Sequence, residues 1–184
     1  MLSARDSIDT DLPDGHYREA AVEASGLEWT IIRPAWFAQD FLTMDCFAAG
    51  ARTGKLYHAS QDGAVPFVDA RDIADVAVAA LTGDGHAGKH YELRGLSSVS
   101  LPEAARIIGT HTGRTTEPID LNDAEYETYL PRIGYDDENV HGVLFLPRVT
   151  RDGAPHYPSP GYRDALGRYP PSLQHFAGRP PAPP

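Results

Sequence analysis

Gly83-Asp84-Gly85-His86-Ala87-Gly88 satisfies Gly-x-Gly-x-x-Gly, the kind of turn through which backbone amides and a helix N-terminus cradle a pyrophosphate. That chemistry needs the glycines to follow a strand and open a helix. Here they close a helical pattern over Asp72–Leu81 and lead into an extended apolar run, so the context predicts a plain loop. A tyrosine with lysine four residues on could pass a proton to or from a substrate oxygen, because the ammonium lowers the phenol pKa. None of the nine tyrosines has such a lysine, and Tyr17 has Ala21 at that place. His86 and His90 are four apart but straddle glycines and a strand start, so they share no helical face and no metal site is predicted.

The better candidates stand at a corner, Pro34-Ala35-Trp36-Phe37, followed by Gln39 and Phe41. A tryptophan where a strand turns into a helix, with a glutamine nearby, gives an apolar wall with a polar handle. Core packing explains Phe37 and Phe41 almost as well. The elements that must position this corner can be read around it. Trp29-Thr30-Ile31-Ile32-Arg33 lacks polar alternation, the pattern of a strand covered on both faces, and Pro34 ends it. Before it, residues 14–25 predict a helix with Asp14 as N-cap and Gly26 as the C′ residue. After it, Phe37, Phe41, Met44 and Phe47 or Ala48 recur at helical spacing, which predicts one helix over 36–50. It would start just past the strand's carboxyl end, where ligands of open α/β sheets sit.

Further along, Gly54–His58 and Ala64–Val68 read as two short strands about a turn at Ser60–Gly63, with Pro66 keeping the second short. Asp69 stands three residues before Asp72 and opens a helix over 71–82, and Lys89–Arg94 is the next strand. Ser100-Leu101-Pro102-Glu103 predicts a capping box and a helix to about His111. Glu117–Leu121 reads as a strand and Asn122 with Glu125 as a helix start. A further helix through Val140, Val143, Leu144 and Leu146 stops before Pro147, and short helices span Tyr162–Leu166 and Pro171–Ala177. Pro180–Pro184 forms no packed element.

The 184-residue chain is long enough to bury one core. Its formal charge of −10, with two lysines, Lys55 and Lys89, and no basic run, disfavours nucleic acid and anionic lipid as partners. The single cysteine, Cys46, allows no intrachain disulfide, and no apolar run reaches membrane-spanning length. A cytoplasmic protein is expected.

The succession of a helix, Ser25-Gly26-Leu27-Glu28-Trp29-Thr30-Ile31-Ile32-Arg33-Pro34-Ala35-Trp36-Phe37, Val68-Asp69-Ala70-Arg71-Asp72-Ile73-Ala74 and Gly88-Lys89-His90-Tyr91-Glu92-Leu93 resembles the NmrA-like family of atypical short-chain dehydrogenase/reductases. The resemblance runs from about Leu2 to Ala177 and covers only the C-terminal part of that family's fold. It implies a partial Rossmann-like, doubly wound parallel α/β sheet with a mostly helical C-terminal lobe. Residues 1–178 would form one partial NAD(P)-binding domain, with a sheet portion over 1–100, a substrate lobe over 101–178 and a disordered tail over 179–184. Leu2-Ser3-Ala4 matches the end of a strand that is otherwise missing, so Ser3, which could mimic a serine at that strand end, is expected to have no fixed position. Arg5–Gly15 is expected to be a loop.

The resemblance also implies NAD(P) as cofactor, the backbone of Pro34, Ala35, Trp36 and Phe37 lying against the nicotinamide, and Trp36, Phe37, Gln39 and Phe41 walling a substrate pocket. His16 takes the place of a family histidine, as a proton donor or substrate contact or else as a partly exposed residue at a helix start; no catalytic residue follows from the sequence alone. The glycine turn for the phosphates would belong to the missing N-terminal half, so cofactor binding by this chain is expected to be weak or absent. The implied function is the substrate-side portion of an NAD(P)H-dependent oxidoreductase or redox sensor. The alternatives are a non-catalytic binding or assembly module, or a truncated product without independent activity. An open sheet edge exposing side chains such as Ile31 or Trp29 would favour a homodimer or a partner chain that covers it.

Overall fold

The computed structural model describes residues 1–3, 13–113, 115–151 and 159–179, with side chains at 13–16, 45, 46, 51, 52, 111, 112 and 138 left aside. The expectations for Ala4, for Arg5–Leu12 and for the Pro180–Pro184 tail lie outside these residues. Two compact units emerge, one from Met1–Phe37, Pro66–Ser97 and Tyr157–Ser172, the other from Ala38–Val65, Ser98–His156 and Leu173–Pro184.

In the first unit, helix α1 (Pro13–Glu23) precedes strand β1 (Thr30–Pro34). Helix α4 (Ala70–Thr82) precedes β4 (Lys89–Leu93), and α8 (Gly161–Leu166) lies against β4. α1 agrees with the helix expected over 14–25 but opens one residue earlier, at Pro13, a favoured first position for proline, so the loop expected over Arg5–Gly15 does not extend over residues 13–15. Strands β1 and β4 pair in parallel with Thr30 opposite Lys89 and Pro34 opposite Leu93, in keeping with the expected parallel sheet. On the other side of β1, Leu2 bridges Ile32 in parallel. Ser3 N–H donates to Ile32 C=O at 2.8 Å and Ile32 N–H to Met1 C=O at 2.9 Å. Ser3 is therefore fixed by backbone pairing, contrary to expectation. Ile32, Val68, Ile73, Val76, Tyr91, Leu93 and Tyr162 form the core of this unit. Gly161 permits α8 to approach β4, because a Cβ there would fall on the Glu92 backbone.

The N-cap of α4 is Asp69, which accepts from Arg71 N–H at 2.9 Å. Ile31 is fully buried and Trp29 half-buried, which corrects the expected exposure of these side chains. The exposed large apolar side chains of this unit among the described residues are instead Met1, Leu2, Tyr17, Leu27, Val78, Leu81, Leu96 and Tyr169.

The second unit holds α2 (Asp40–Thr43), α3 (Asp45–Thr53), β2 (Lys55–His58), β3 (Ala64–Val65), β5 (Val99–Ser100), α5 (Leu101–Thr112) and β6 (Glu117–Asp120). Then follow α6 (Asp123–Tyr129), a 3-10 turn (Leu130–Ile133), α7 (Asp137–Arg151) and α9 (Leu173–Gly178). β2 pairs with β6 in parallel and β3 with β5 antiparallel. The α/β class, its parallel pairing and the mostly helical stretch after residue 100 agree with the sequence.

Three local expectations fail for identifiable reasons. The single helix over 36–50 is replaced by two, because residues 36 and 37 pair with a neighbouring segment and Met44 is extended, with ψ 122°, at the start of α3. α3 then ends on Gly54 at φ +74°, a left-handed cap that glycine adopts without a Cβ penalty. At α5 only half of the capping box forms: Ser100 accepts from Glu103 N–H, while the Glu103 carboxylate accepts from Arg106. At α6 both halves form between Asn122 and Glu125. α7 runs through Pro147 rather than stopping, since its last turn is anchored beyond the proline. Thr150 is buried there, and Arg151 donates to Asp123 and to Ala59 C=O, each at 2.6 Å.

Candidate functional site

The Pro34–Phe37 corner leaves the carboxyl ends of β1 and β4. Ala35 N–H donates to Leu93 C=O at 2.8 Å, and Val68 N–H donates to Trp36 C=O at 2.9 Å, with Phe37 bridging Val68 in parallel. The corner is thus extended and clamped between two backbones, not the first turn of a helix. The Trp36 ring is half-buried and meets Phe67 edge to face, centroids 6.3 Å apart, a favourable aromatic geometry. Trp36 and Phe37 belong to the first unit. Gln39 and Phe41 belong to the second, where Phe41 is buried and stacks on Phe47 at 5.1 Å. His16 lies in α1, and its side chain is outside those described.

Beside the corner lies a charged group not singled out in the sequence. Glu19 of α1, 4 % exposed, accepts from Arg33 Nε on both oxygens at 3.1 Å and from Nη2 at 2.5 Å. Burial pushes its carboxyl up, but hydrogen bonds from Arg33 and Ser3 and the Arg33 charge outweigh burial and hold it below its ordinary value. The available signal was an arginine at the end of a doubly covered strand, which needs a counter-charge. Glu23 and His90, joined at 2.8 Å, lie close enough to Glu19 to share a cation. The Arg33 guanidinium already saturates Glu19 and opposes a second positive charge there.

Gly83–Gly88 sits at the other end of the strands. Gly88 N–H donates to Trp29 C=O, and Thr30 Oγ1 donates to His86 C=O, each at 2.7 Å. The loop follows α4 and leads into β4, so its glycines face no helix N-terminus. His86 Nδ1 lies 2.8 Å from the Tyr91 hydroxyl, and His90 packs edge-on to Trp29; the two imidazoles serve separate contacts. A dinucleotide's phosphates would need a glycine-rich turn that leaves a strand and opens a helix. Gly83–Gly88, between α4 and β4, has the opposite order.

In the second unit, the buried His58 places Nδ1 3.0 Å from Ser60 Oγ and 3.3 Å from Asp120 Oδ1. The residue types suggest a nucleophilic triad. Both partners meet the same ring nitrogen, however, whereas a relay needs one on each. Asp120 also accepts from the backbone N–H of Gln61, whose φ is +50°, so the cluster ties down a tight turn. No helix among the described residues is long and apolar enough to cross a membrane.

No family model matches the chain. It is 33% identical over 150 residues to the uncharacterized oxidoreductase YesF of Bacillus subtilis, covering 82% of this chain and 52% of YesF. The chain spans about half the length of the curated relatives it matches. The structure of the NADPH-dependent quinone oxidoreductase QOR2 of Escherichia coli superposes with a TM-score of 0.80 at 21% identity, over 96% of this chain and 64% of that one. NmrA, a negative transcriptional regulator solved in complex with NADP, superposes with a TM-score of 0.64 at 15% identity, over 96% and 62%. The parallel β1–β4 pair, its following corner and these superpositions together identify the fold of the chain as part of an NmrA-like fold.

Proposed function

We propose that this chain is the substrate-side portion of an NAD(P)H-dependent reductase, in which the Pro34–Phe37 corner lines the nicotinamide end of the cofactor and Trp36 forms a wall of the acceptor pocket. The observation that carries this reading is the clamping of the corner at the carboxyl ends of two parallel strands, through Ala35 to Leu93 and Trp36 to Val68. Ligands of open α/β sheets bind at those ends. The names of the relatives support a redox role: an oxidoreductase for YesF and an NADPH-dependent quinone oxidoreductase for QOR2. With no Tyr-x-x-x-Lys pair in the chain, acceptors such as quinones, azo compounds or imines suit it better than ordinary alcohols. Trp36 and Phe37 would exclude water and orient a flat acceptor. The protein would work in the cytoplasm.

The test is to join the N-terminal portion of YesF ahead of Met1 and follow NADPH and NADH oxidation with a quinone and with an azo dye. Acceptor-dependent oxidation that Trp36→Ala lowers supports the reading. A folded fusion that binds NADPH but reduces neither acceptor would replace it with a non-catalytic, cofactor-sensing role.

A further inference from the structure

A cavity of about 650 Å3 lies wholly within the second unit, walled by Tyr57 of β2, by α6 and by Arg132 of the 3-10 turn that follows it. Its volume is that of a site for a small organic molecule. None of its residues belongs to the Pro34–Phe37 corner. Tyr57 and Tyr129, both half-buried, pack ring on ring with centroids 4.6 Å apart. The buried Tyr126 stacks on Tyr129 in turn, at 6.2 Å. Rings already fixed in the free protein lose little freedom when a flat ligand packs on them. Most polar groups around them are spent. Asn122 Oδ1 accepts from Glu125 N–H and the Glu125 carboxylate from Asn122 N–H, each at 3.0 Å, and Thr128 Oγ1 donates to Ala124 C=O at 2.8 Å. Two donors are left. Among the described residues, neither the Tyr57 hydroxyl nor the Arg132 guanidinium has a hydrogen-bond or ion-pair partner. In a chain of charge −10, Arg106, Arg148 and Arg151 of the same unit each meet a carboxylate, whereas Arg132 does not.

We propose that this cavity binds a flat, fused-ring aromatic acid, whose ring packs on Tyr57 and Tyr129 and whose single anionic group meets the Arg132 guanidinium, with the Tyr57 hydroxyl as a second donor. The tyrosine pair supplies planar apolar area of the kind on which aromatic rings stack. The guanidinium supplies a planar fork of N–H donors that matches a carboxylate. An aliphatic acid would leave the rings uncovered, and a cation would face Arg132. Glu125 sets the charge of the ligand: its carboxylate lines the same cavity and opposes a second negative charge, so a monoanion fits better than a dianion. The site needs neither the corner nor a dinucleotide, and so stands apart from the reductase reading.

The test titrates 2-naphthoate into the full chain and follows the backbone amides by NMR. 2-Naphthamide, with the same rings and no charge, and naphthalene-2,6-dicarboxylate, with two charges, are run beside it. Saturable shifts are expected at Leu121, Asn122, Thr128 and Tyr129, with 2-naphthoate binding about fivefold tighter than the amide and tighter than the dicarboxylate. Added salt should narrow the preference for the acid over the amide. Arg132→Gln, at an exposed position and checked for folding by circular dichroism, should abolish that preference while leaving the affinity for 2-naphthamide unchanged. Tyr57→Leu should weaken all three ligands. Absence of saturable shifts at millimolar 2-naphthoate, equal affinity for acid and amide, a preference that survives in Arg132→Gln, or shifts confined to residues of the first unit such as Val22 and Ile73 would each overturn the proposal.

Discussion

Arg33 grips both carboxylate oxygens of Glu19, joining α1 to the carboxyl end of β1 one residue before Pro34. Both side chains are largely buried, at 18% and 6% exposure, so removing one leaves the other charged and dry. Arg33→Ala is expected to destabilise the chain by about 3–5 kcal/mol in urea unfolding at pH 7. The pH dependence has a definite sign. The folded carboxyl lies below its ordinary 4.5, so the stabilisation is complete above that value and is lost as pH falls through the folded pKa. In Arg33→Ala this acid-side loss should vanish or reverse, which unfolding curves between pH 3 and 5 would read.

His58 acts in a different pH window. Burial holds its imidazole below the ordinary 6.5, and the nearby Asp120 only partly offsets this. Because the unfolded chain takes up the proton more readily, stability should be full above 6.5 and should decline as pH falls through the folded pKa. His58→Gln should flatten the stability profile between pH 7.5 and 5 while leaving the carboxylate-driven loss at lower pH. An NMR titration in which His58 protonates above 6.5 would contradict the assignment.

Gly161 sets the distance between α8 and β4. A methyl group there would fall on the Glu92 backbone, which has no flexible end to move aside. Gly161→Ala should cost about 1–3 kcal/mol by overpacking, whereas Gly142→Ala, where a Cβ meets nothing within 4 Å, should be neutral or slightly stabilising in the helix interior. Thermal unfolding of the two variants side by side checks the contrast.

For the dinucleotide, the expectation is quantitative. On the proposed reading, in which this chain meets only the nicotinamide end, the isolated chain should bind NADPH no better than about millimolar, near −4 kcal/mol. Calorimetric titration with NADPH and NADH checks this, and saturable micromolar binding to either would place a phosphate site among residues read here as loop. In the fusion to the N-terminal portion of YesF, Trp36→Ala should lower kcat about tenfold while shifting NADPH affinity by less than about threefold.

The sequence by itself determined the elements whose cause is local. The apolar run Trp29–Arg33 reads as a doubly covered strand, and β1 pairs in parallel with Lys89–Leu93. Asn122 with Glu125 and the glycine after Leu166 mark helix ends through short-range hydrogen bonds and a left-handed backbone. The order of strand and helix around Gly83–Gly88 was enough to read that segment as a loop. Only the tertiary structure decided what depends on partners distant in the chain. Val68 and Leu93 draw the Pro34–Phe37 corner into extended pairing against its helical periodicity. Arg151 anchors α7 beyond a proline that would otherwise end it. Ser3, Glu19 and Arg33 meet because a three-residue strand end, a helix face and a strand terminus converge. Local propensity amounts to a few tenths of a kcal/mol per ordinary residue, whereas each of these pairings satisfies a buried polar group at about 1–3 kcal/mol, so the distant partner wins; at Pro147, where proline costs about 3 kcal/mol, two bonds from Arg151 and the burial of Thr150 act together.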